Sequence, residues 1–510
     1  MPPAIAAIPV ETIQRRRAPN AEHRVGEAHA ILSADGLTVL FRVADRPMLF
    51  DGARGRFVGA LDADLTGILE RIADNGGWSP RLRAASHPEG AAVHPLDDLA
   101  RLWLERPLPD PDRALPTLMP THFIVFPAAA CNMACDYCCN DQGQFGGTHH
   151  AGSLSLPVAE RFLDWLHTNP WGDAEGDIEL LLIGGEPTLN SDVCRYFVQG
   201  AIELNQSSER RFKVKISTNG LKVPKDLIDT AAHHPDVVRF GVSIDGSRER
   251  HDAHRVDHHG RGTFERIVGF LRTLQQRGIR YNVTAVLPYP YEFSAVYREL
   301  RALGAEQIEI KAADVTPFNA ADTIQGEHDF ATWRAAYLAY NQLQIDEMHG
   351  GFRGTLDRRY LMSEVFSPFG SDAYSCDAGI KQVALSPDGH LYPCDRFFGQ
   401  PEYRIGSLNE AGNHAADDGI DRDALHRYHQ HLAEHGRMAS EHPDCKTCFA
   451  REICRGGCYG NNLARDGRID AIAAHGCDRR REKLRIDLYF LARLAEELPE
   501  RFAELGGRHA

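Results

Sequence analysis

The sequence contains no run of about 20 apolar residues, which is the length that a membrane-spanning helix requires. Basic residues are also in the minority, because 57 Lys and Arg stand against 71 Asp and Glu and give a net charge of −14. Such an acidic surface repels a phosphate backbone, so nucleic acid is not expected as a partner. The start of the chain lacks the order of a signal peptide, since Arg15, Arg16 and Arg17 follow the mildly apolar Met1–Val10. We therefore expect a cytoplasmic protein with no membrane association.

Internal repeats and long low-complexity tracts are also absent, and 510 residues correspond to roughly three domains at ~150 residues each. Residues 1–118 contain two predicted strands, Leu37–Val43 and Arg56–Leu61, and a predicted helix, Asp62–Asp74. Five prolines between positions 106 and 120 indicate a linker. We expect an N-terminal domain over residues 1–118, a second domain over 119–345, a third over 346–480 and a terminal helix over 481–510.

From residue 121 onward, short β-rich segments alternate with helical patterns. The predicted strands are Phe123–Phe126, Ile178–Ile183, Lys213–Thr218, Val237–Ile244, Asn282–Leu287 and Gln307–Lys311. The predicted helices between them are Leu156–Thr168, Ser191–Leu204, Lys225–Ala232, Thr263–Arg277 and Glu292–Leu303. This alternation predicts an α/β fold with a parallel sheet, and the six units fall short of the eight of a closed barrel. The expected fold is a partial (β/α)6 TIM-like barrel between a small α+β N-terminal domain and a cysteine-rich C-terminal domain.

Cysteine is missing from the first 130 residues, so the predicted N-terminal domain carries no thiol chemistry. Twelve cysteines follow, and in a cytoplasmic chain they indicate metal ligands or redox groups rather than disulfides. Cys139 and Cys194 fit no regular spacing, and we expect them to be bystanders. The other ten form two clusters: Cys131, Cys135 and Cys138, and then Cys376, Cys394, Cys445, Cys448, Cys454, Cys458 and Cys477.

The first cluster, Cys131-Asn-Met-Ala-Cys135-Asp-Tyr-Cys138, has the spacing C-x3-C-x2-C and follows the first strand of the predicted barrel. Three thiolates can hold three irons of a four-iron cluster and leave the fourth iron open. Zinc sites favour C-x2-C pairs, so the x3 gap favours iron. At this position the spacing resembles the radical S-adenosylmethionine (radical SAM) family. There the open iron binds S-adenosylmethionine, and a 5′-deoxyadenosyl radical takes a hydrogen atom from the substrate.

Ile183-Gly184-Gly185-Glu186-Pro187, at the end of the second predicted strand, looks like the GGEP motif of the same family. The resemblance implies that the two glycines let the backbone approach the ligand. It also implies that the Glu186 carboxylate holds the ammonium of the methionine moiety. A Gly-Gly-Glu-Pro loop without a ligand is the alternative.

Other strand ends carry polar residues that resemble S-adenosylmethionine contacts. Arg255 would pair with the methionine carboxylate, for which the bidentate fork of a guanidinium is suited. Tyr137 would lie against the adenine, and Ser243 would lie near the ribose. Ser217 and Asn219 end the third strand, and ordinary strand-end turn chemistry is the alternative for these polar residues.

The second cluster resembles the SPASM domain, a C-terminal extension of many radical SAM maturases that binds two auxiliary four-iron clusters. The resemblance implies that Cys376, Cys394 and Cys458 hold the first auxiliary cluster, and that Cys445, Cys448, Cys454 and Cys477 hold the second. Because the two ligand sets interleave along the chain, loss of a cluster should unfold this domain. The cofactors expected are therefore three [4Fe-4S] clusters and S-adenosyl-L-methionine, with a structural zinc knuckle as the alternative.

The first auxiliary cluster lacks an obvious fourth cysteine. Its fourth position is open, or it is filled by water, Asp395, Cys194 or a substrate thiolate. Tyr392-Pro393-Cys394-Asp395 resembles a stretch of anaerobic sulfatase maturases in which the acid is the candidate base. Asp395 is thus the one catalytic candidate, and capping a turn or bonding near a cluster cysteine is its alternative.

SPASM-type enzymes mostly modify peptides or proteins, so the expected partners are a precursor peptide or protein and a reductant such as flavodoxin or ferredoxin. Gly143-Gln-Phe-Gly-Gly147 resembles maturases that build thioether links in ribosomal peptides, with a flexible loop as the alternative. Residues 1–118 resemble elements that bind a leader peptide as an added strand, with a packing or dimerisation cap as the alternative.

We expect a peptide maturase that installs a thioether or carbon–carbon crosslink. Formylglycine-type oxidation of a protein Ser or Cys is the alternative among enzymes. A zinc-stabilised peptide-binding protein is the alternative outside them. Paired histidines such as His258-His259 lack the spacing of a metal site and are expected to be solvated loop residues.

Overall fold

The computed structural model of the chain describes residues 29–31, 38–43, 46–51, 56–59, 115–138, 140, 152–168, 177–313, 327–352, 376–409, 419–446, 448–471, 477–498 and 500–501. Its first sheet is antiparallel and has the order β1 (His29–Ile31), β2 (Thr38–Val43), β3 (Arg46–Asp51) and β4 (Arg56–Gly59). Strands β2 and β4 correspond to the two predicted strands of this region. The predicted helix Asp62–Asp74, Cys139 and the Gly143–Gly147 segment lie outside the described residues.

Six parallel strands form the centre of the molecule, and they lie in the order β10-β9-β8-β7-β6-β5. Along β7, buried Phe212, Val214 and Ile216 alternate with half-buried Lys213 and Lys215, so the sheet has an apolar face and a partly polar inner face. The described strands form an open α/β sheet and not a closed barrel, as the count of six units predicted. The strands are β5 (His122–Val125), β6 (Ile178–Leu182), β7 (Phe212–Thr218), β8 (Val238–Ser243), β9 (Tyr281–Leu287) and β10 (Ile308–Ala312).

Helices cover the apolar face of this sheet. The ring of Phe123 on β5 packs edge-on against Phe162 and Trp165 of the first helix, with ring centroids 5.8 Å apart in both pairs. The five helices that periodicity predicted are present, with ends displaced by three residues or fewer. The helices are α1 (Leu156–Thr168), α2 (Ser191–Ser207), α3 (Lys225–His233), α4 (Arg248–His254), α5 (Phe264–Gln276), α6 (Phe293–Ala302) and α7 (Glu327–His349).

The sheet continues into the cysteine-rich part of the chain. Strand β11 (Gln382–Leu385) pairs in parallel with β5, in a register that sets Gln382 beside His122. Strand β12 (His390–Tyr392) returns antiparallel to β11, and β13 (Gly406–Ser407) pairs with β12. Residues that follow β12 therefore lie toward the amino-terminal edge of the parallel strands, whereas residues that follow β5 lie at the carboxyl edge.

The last described helix connects the three parts of the molecule. Helix α12 (Cys477–Glu497) packs against α7, where Tyr337 Oη donates to Asp487 Oδ1 at 2.7 Å, and it also lies against β2 and β4. The helices that precede it are α8 (Arg422–Glu441), α9 (Pro443–Lys446), α10 (Arg451–Cys454) and α11 (Tyr459–Asp466). Within the described ranges, none of the helices has the length and apolar character needed to cross a bilayer.

Candidate functional site

The cysteine loop that follows β5 is held in place by the segment after α4. The Ala134 N–H donates to the Val256 carbonyl at 2.8 Å, and Met133 forms an isolated bridge with Asp257. His258 Nε2 lies 2.8 Å from the carbonyl oxygen of Cys131, so this exposed histidine contacts the loop backbone. Two chain segments over a hundred residues apart thus fix the backbone that carries the first cysteine cluster.

The thiols of Cys131, Cys135 and Cys138 are near enough to one another to interact electrostatically. Burial raises the pKa of Cys131 to about 12 and that of Cys135 to about 11, and the neighbouring thiols add to both shifts. Three thiols around one space fit the three-ligand site of a four-iron cluster, which takes them as thiolates and displaces their protons. No group of three His, Cys, Asp or Glu side chains in the described part of the chain could hold a single metal ion.

Gly184 and Gly185 let the loop after β6 contact the backbone before Cys131. A Cβ atom on Gly184 would lie 2.3 Å from the carbonyl oxygen of Ala128, and one on Gly185 would lie 2.1 Å from that of Ala129. The Gly185 N–H donates to Ala128 O at 3.1 Å, and the Glu186 N–H donates to Ala130 O at 2.9 Å. The glycines are therefore required by a backbone–backbone contact, and this contact brings Glu186 beside the cysteine loop.

The Glu186 carboxylate is buried and receives four hydrogen bonds that are unequally divided between its oxygens. Oε1 accepts from Thr188 N (3.1 Å), Thr188 Oγ1 (2.6 Å) and Thr218 Oγ1 (2.7 Å), whereas Oε2 accepts from Asn219 N (2.7 Å). Burial raises the pKa of Glu186, and the four donors oppose that rise. Oε2 thus has more remaining capacity for a cationic ligand group than Oε1.

The polar residues at the ends of β7 and β8 lie on the inner face near the cysteine loop. Asn219 Nδ2 donates to Asn132 Oδ1 at 2.7 Å and lies 3.8 Å from Cys131 Sγ. Ser217 and Ser243 are half-buried, and Gly241 is the cross-strand partner of Ser217, where a Cβ atom would lie 2.9 Å from Lys215 Cε. The structure thus brings Ser217, Asn219 and Ser243 to the carboxyl edge, where the first cluster also lies.

Arg255 and Tyr137 meet at a carboxylate that the sequence analysis did not include among the site residues. Arg255 Nε donates to Asp245 Oδ2 at 2.7 Å, and Tyr137 Oη donates to the same oxygen. Burial alone would lower the pKa of Arg255, but Asp245 more than offsets this and the pKa lies well above its ordinary value. The signal for Asp245 was present in the Ser-Ile-Asp-Gly segment after β8, although spacing alone gave it no role.

Cys376, Cys394 and Cys458 form one group in the C-terminal part. Burial raises the pKa of Cys376 to about 11, with a contribution from Cys458, and Cys376 contributes to a rise in the pKa of Cys394. The Cys394 thiol donates to Asp395 Oδ1 at 3.1 Å. Tyr428 is buried beside the same three thiols and donates to Ala378 O at 3.1 Å. Asp395 therefore lies at this group, as a base or a further ligand would require.

Cys445, Cys448, Cys454 and Cys477 form a separate group. Burial raises the pKa of Cys445 to about 12, and the other three thiols contribute to the rise. Arg480 hydrogen-bonds Cys454 and Arg481 hydrogen-bonds Cys448, so two guanidinium groups lie at these sulfurs. Four thiols with cationic neighbours fit a fully liganded iron–sulfur cluster, because hydrogen bonds to sulfur stabilise the thiolate form.

A tight turn separates the two C-terminal groups. Cys454 ends α10 and Cys458 immediately precedes α11, yet they belong to different groups. Between them Arg455, Gly456 and Gly457 adopt φ values of 43°, 83° and 89°. Three consecutive residues with positive φ reverse the chain, which directs the two sulfurs into different sites.

Cys194 lies elsewhere. It is buried on α2 with Sγ donating to Pro187 O at 3.2 Å, and burial together with the nearby Glu186 raises its pKa. It has no place in the group of Cys376, Cys394 and Cys458, so the expectation that Cys194 could fill the fourth position there is wrong. The bystander interpretation of Cys194 agrees with this hydrogen bond to the Pro187 carbonyl.

Residues 125–344 match the Radical SAM superfamily. The cysteine-type anaerobic sulfatase-maturating enzyme of Clostridium novyi is 23% identical over 357 residues, which cover 66% of this chain and 87% of that protein. The serine-type enzyme of Klebsiella aerogenes is 24% identical and covers 69% of this chain and 83% of that protein. The antilisterial bacteriocin subtilosin biosynthesis protein AlbA of Bacillus subtilis is 24% identical over 350 residues, or 68% of each chain.

Two solved structures share the fold. Native anSMEcpe with bound AdoMet has a TM-score of 0.59 at 17% identity and covers 74% of this chain and 100% of that chain. Streptococcus suis SuiB bound to precursor peptide SuiA has a TM-score of 0.51 at 14% identity and covers 88% of this chain and 99% of that chain. At these identities the comparison concerns the fold, and it agrees with the open parallel sheet described above.

Proposed function

Residues 125–344 of this chain are a radical SAM domain and the chain is a radical SAM enzyme related to maturases; from that premise we propose that it crosslinks a ribosomally made peptide. The bond is a thioether or a carbon–carbon link formed after a hydrogen atom is removed from the peptide. The substrate partner is a precursor peptide, the electron donor is a flavodoxin or ferredoxin, and the compartment is the cytoplasm.

The main support for a peptide substrate is the share of this chain that aligns with SuiB. That alignment covers 88% of the chain, or about 449 residues, which exceeds the 392 residues from 119 to 510. It must therefore include part of residues 1–118. The anSMEcpe alignment covers 74%, or about 377 residues, and can be accommodated without that region. The structure with the longer alignment is one bound to a precursor peptide.

The N-terminal sheet supplies a surface of the kind that a leader peptide uses. Among the described strands its edges are β1 and β4, and a peptide can add to such an edge through backbone hydrogen bonds. Because α12 lies against β2 and β4, a peptide bound there would be tethered to the helix that begins at Cys477. Leader binding is thereby coupled mechanically to the C-terminal cysteine groups.

The cysteine groups support three four-iron clusters. We assign the first to Cys131, Cys135 and Cys138, the first auxiliary cluster to Cys376, Cys394 and Cys458, and the second to Cys445, Cys448, Cys454 and Cys477. With S-adenosylmethionine bound, the first cluster supplies the one-electron chemistry that removes hydrogen from the substrate. The chain's own contribution is to bind and orient: Glu186 Oε2 would accept a hydrogen bond from the methionine ammonium, and Arg255 would pair with the methionine carboxylate.

The first site and the first auxiliary site lie toward opposite edges of the sheet. The first cluster lies at the carboxyl edge of β5, whereas Cys394 follows β12 toward the amino-terminal edge. Four residues of β5 at ~3.3 Å each span about 13 Å, which is the length of a few peptide residues. We propose that the peptide lies along the partly polar inner face, with its reacting carbon near the first site and a thiol near Cys376, Cys394 and Cys458. Asp395, beside Cys394, would take the proton from that thiol or from the carbon, and the electron left after bond formation would pass to the auxiliary cluster held by Cys376, Cys394 and Cys458.

Formylglycine formation on a protein Ser or Cys is the second candidate. It is favoured by the two sulfatase-maturating relatives, one of each type, that match two thirds of the chain. Asp395 would act as the base in formylglycine formation as well. The zinc-stabilised binding protein, by contrast, is wrong as a class, because the radical SAM domain and the maturating relatives identify an enzyme.

The test is anaerobic reconstitution with iron and sulfide, followed by S-adenosylmethionine, reductant and a precursor peptide. Mass spectrometry should detect 5′-deoxyadenosine and a peptide that has lost two hydrogen atoms. Tandem mass spectrometry should then show a segment of the peptide that yields no fragments, because the crosslink closes it into a ring. A hydrazide probe reports the alternative, because only formylglycine contains an aldehyde.

Matched cysteine variants identify the source of the activity. Replacing Cys131, Cys135 and Cys138 by Ala should abolish 5′-deoxyadenosine, whereas Cys194→Ala, which removes a buried thiol outside all three groups, should retain it. A reconstituted wild-type protein that makes 5′-deoxyadenosine but yields an aldehyde on a sulfatase-derived peptide would replace the crosslinking proposal with the second candidate.

A further inference from the structure

Asp245 is a buried carboxylate at the end of β8, and both of its oxygens are used. Oδ2 accepts from Arg255 Nε at 2.7 Å and from the Tyr137 hydroxyl, while Oδ1 accepts from the Val286 N–H at 2.9 Å. The Arg255 guanidinium lies 5.3 Å from the centroid of the Tyr137 ring. A single carboxylate thus joins β8, the end of β9, the segment after α4 and the cysteine loop.

A second chain of hydrogen bonds fixes the backbone of Arg255. The Asp245 N–H donates to His251 Nδ1 at 3.3 Å, so the proton of a neutral His251 resides on Nε2. Nε2 lies 2.9 Å from Thr263 Oγ1, and that hydroxyl donates to the Arg255 carbonyl at 2.7 Å. Asp245 is therefore connected to both ends of Arg255, to the side chain directly and to the main chain through two residues.

We propose that Asp245 is a positioning residue that sets the affinity for the methionine carboxylate of S-adenosylmethionine by fixing the guanidinium of Arg255. The proposal rests on the proposed binding of S-adenosylmethionine. Because Asp245 binds Nε, the planar guanidinium of Arg255 is held in one orientation, as a bidentate contact through its two terminal amino groups requires.

The same carboxylate sets the position of the cysteine loop. Tyr137 stands between Cys135 and Cys138, and its hydroxyl is held by Asp245. A shift of Asp245 would move the arginine and this loop relative to each other. Asp245 thereby holds Arg255 and the loop of the first cysteine group in fixed positions relative to each other.

Asp487 offers a matched control elsewhere in the fold. It is a buried carboxylate that also accepts from a tyrosine hydroxyl and a cation, namely Tyr337 Oη at 2.7 Å and Lys483 Nζ at 2.6 Å. It lies on α12 at the contact with α7. Asp245→Asn and Asp487→Asn therefore remove the same charge from similar surroundings.

The experiment measures the dissociation constant of S-adenosylmethionine by equilibrium dialysis on iron-loaded protein. We expect Asp245→Asn to raise the constant about tenfold or more, and Asp487→Asn to leave it within about twofold. The electron paramagnetic resonance spectrum of the reduced first cluster should change on addition of S-adenosylmethionine in wild type, and only at higher concentration in Asp245→Asn. Asp245→Glu, which keeps the charge but displaces it by one methylene, should also weaken binding if Asp245→Asn fails to load iron.

A double-mutant cycle separates positioning from general destabilisation. If Asp245 acts through Arg255, then Asp245→Asn/Arg255→Gln binds S-adenosylmethionine no more weakly than Arg255→Gln alone. Multiplicative losses, or wild-type affinity in iron-loaded Asp245→Asn, would overturn the proposal while the proposed function stands. An iron-loaded wild-type protein that does not bind S-adenosylmethionine would overturn both.

Discussion

Glu186 is the residue whose surroundings most directly suggest a ligand contact. Its Oε1 has three donors and its Oε2 has one, so a cationic group finds acceptor capacity on Oε2. Glu186→Gln removes the negative charge, and a hydrogen bond to a charged group contributes ~1.5–3 kcal/mol. We expect the dissociation constant of S-adenosylmethionine to rise about 10- to 100-fold, measured by equilibrium dialysis at equal iron content.

Glu179→Gln is the control for this variant. Glu179 lies on β6, the strand that precedes Glu186, where it pairs with Arg239 and is half-buried on the inner face, so the variant removes an equal charge nearby in the chain. The affinity of Glu179→Gln for S-adenosylmethionine should remain that of wild type. Equal losses in the two variants would mean that net charge, and not the Glu186 contact, controls binding.

Asp395 distinguishes binding from chemistry at a single position. Asp395→Asn keeps the size of the side chain next to the Cys394 thiol but removes a general base, which typically contributes 10²–10⁴-fold to a rate. We expect crosslink formation to fall by about 100-fold or more while iron content and 5′-deoxyadenosine formation persist. If product and 5′-deoxyadenosine fall in parallel, Asp395 acts on cluster assembly and not on proton transfer.

His251 predicts a pH dependence of stability. Burial, with a contribution from Arg255, lowers its pKa from 6.5 to about 4. Between those values an unfolded chain binds a proton that the folded chain excludes, so the free energy of unfolding falls as pH decreases from 6.5 to 4, by about 3 kcal/mol at most. The melting temperature of the cluster-free chain at pH 7 and pH 5 should show this loss in wild type and less of it in His251→Asn.

The exposed His233 provides the comparison, because its ring contacts the Asp229 carbonyl at 2.7 Å on the surface of α3. His233→Asn should retain the wild-type pH dependence. An identical loss in His251→Asn and wild type would assign the effect to other groups.

At the scale of elements, the turn between α10 and α11 decides which group each cysteine joins. A Cβ atom on Gly457, where φ is +89°, would lie 2.7 Å from Arg480 Nη1, which is closer than van der Waals contact allows. Gly457→Ala should therefore displace both the turn and the arginine at Cys454. We expect iron content to fall from about 12 per chain toward about 4, as both auxiliary sites are lost.

Gly467→Ala tests the effect of backbone strain alone, because it places alanine at a positive φ without a steric clash. Gly467 ends α11 at φ +69° and a Cβ there would meet no atom within 4 Å. Gly467→Ala should cost ~1 kcal/mol of local stability and keep the wild-type iron content. Equal iron loss in both variants would show that strain alone, and not the position of Arg480, disrupts the sites.

At the scale of the whole molecule, α12 joins a cysteine group to two other parts of the fold. It begins at Cys477, packs against α7 and lies against β2 and β4. Cys477→Ser should remove the second auxiliary cluster and loosen α12, because a metal site contributes its binding energy to folding. Hydrogen exchange should then show reduced amide protection in α12, α7 and β2, whereas Cys194→Ala should leave these segments unchanged.

The parallel sheet and its helices could be predicted closely because their signal is local. Each strand is a short β-rich run followed by a helix with one apolar face, and Leu156–Thr168 was predicted with both ends correct. Helix α4 was not predicted, since its seven residues lack apolar periodicity and its start is set by the Ser247 side chain, which accepts from Arg250 N. Strand β11 was not predicted, because four residues gain stability only by pairing with β5, about 260 positions earlier.

The sequence by itself determined the type of chemistry. Cysteine spacing, the Gly-Gly-Glu-Pro segment and the alternation of strands and helices identified a radical SAM fold, since these features depend on neighbouring positions in the chain. Only the tertiary structure decided which side chains meet: Asp245 with Arg255 and Tyr137, and Cys194 with Pro187 and not with Cys394. These contacts join segments whose separation carries no periodic signal, and burial makes each partner's identity matter, because a buried charge or thiol is stable only beside a group that compensates it.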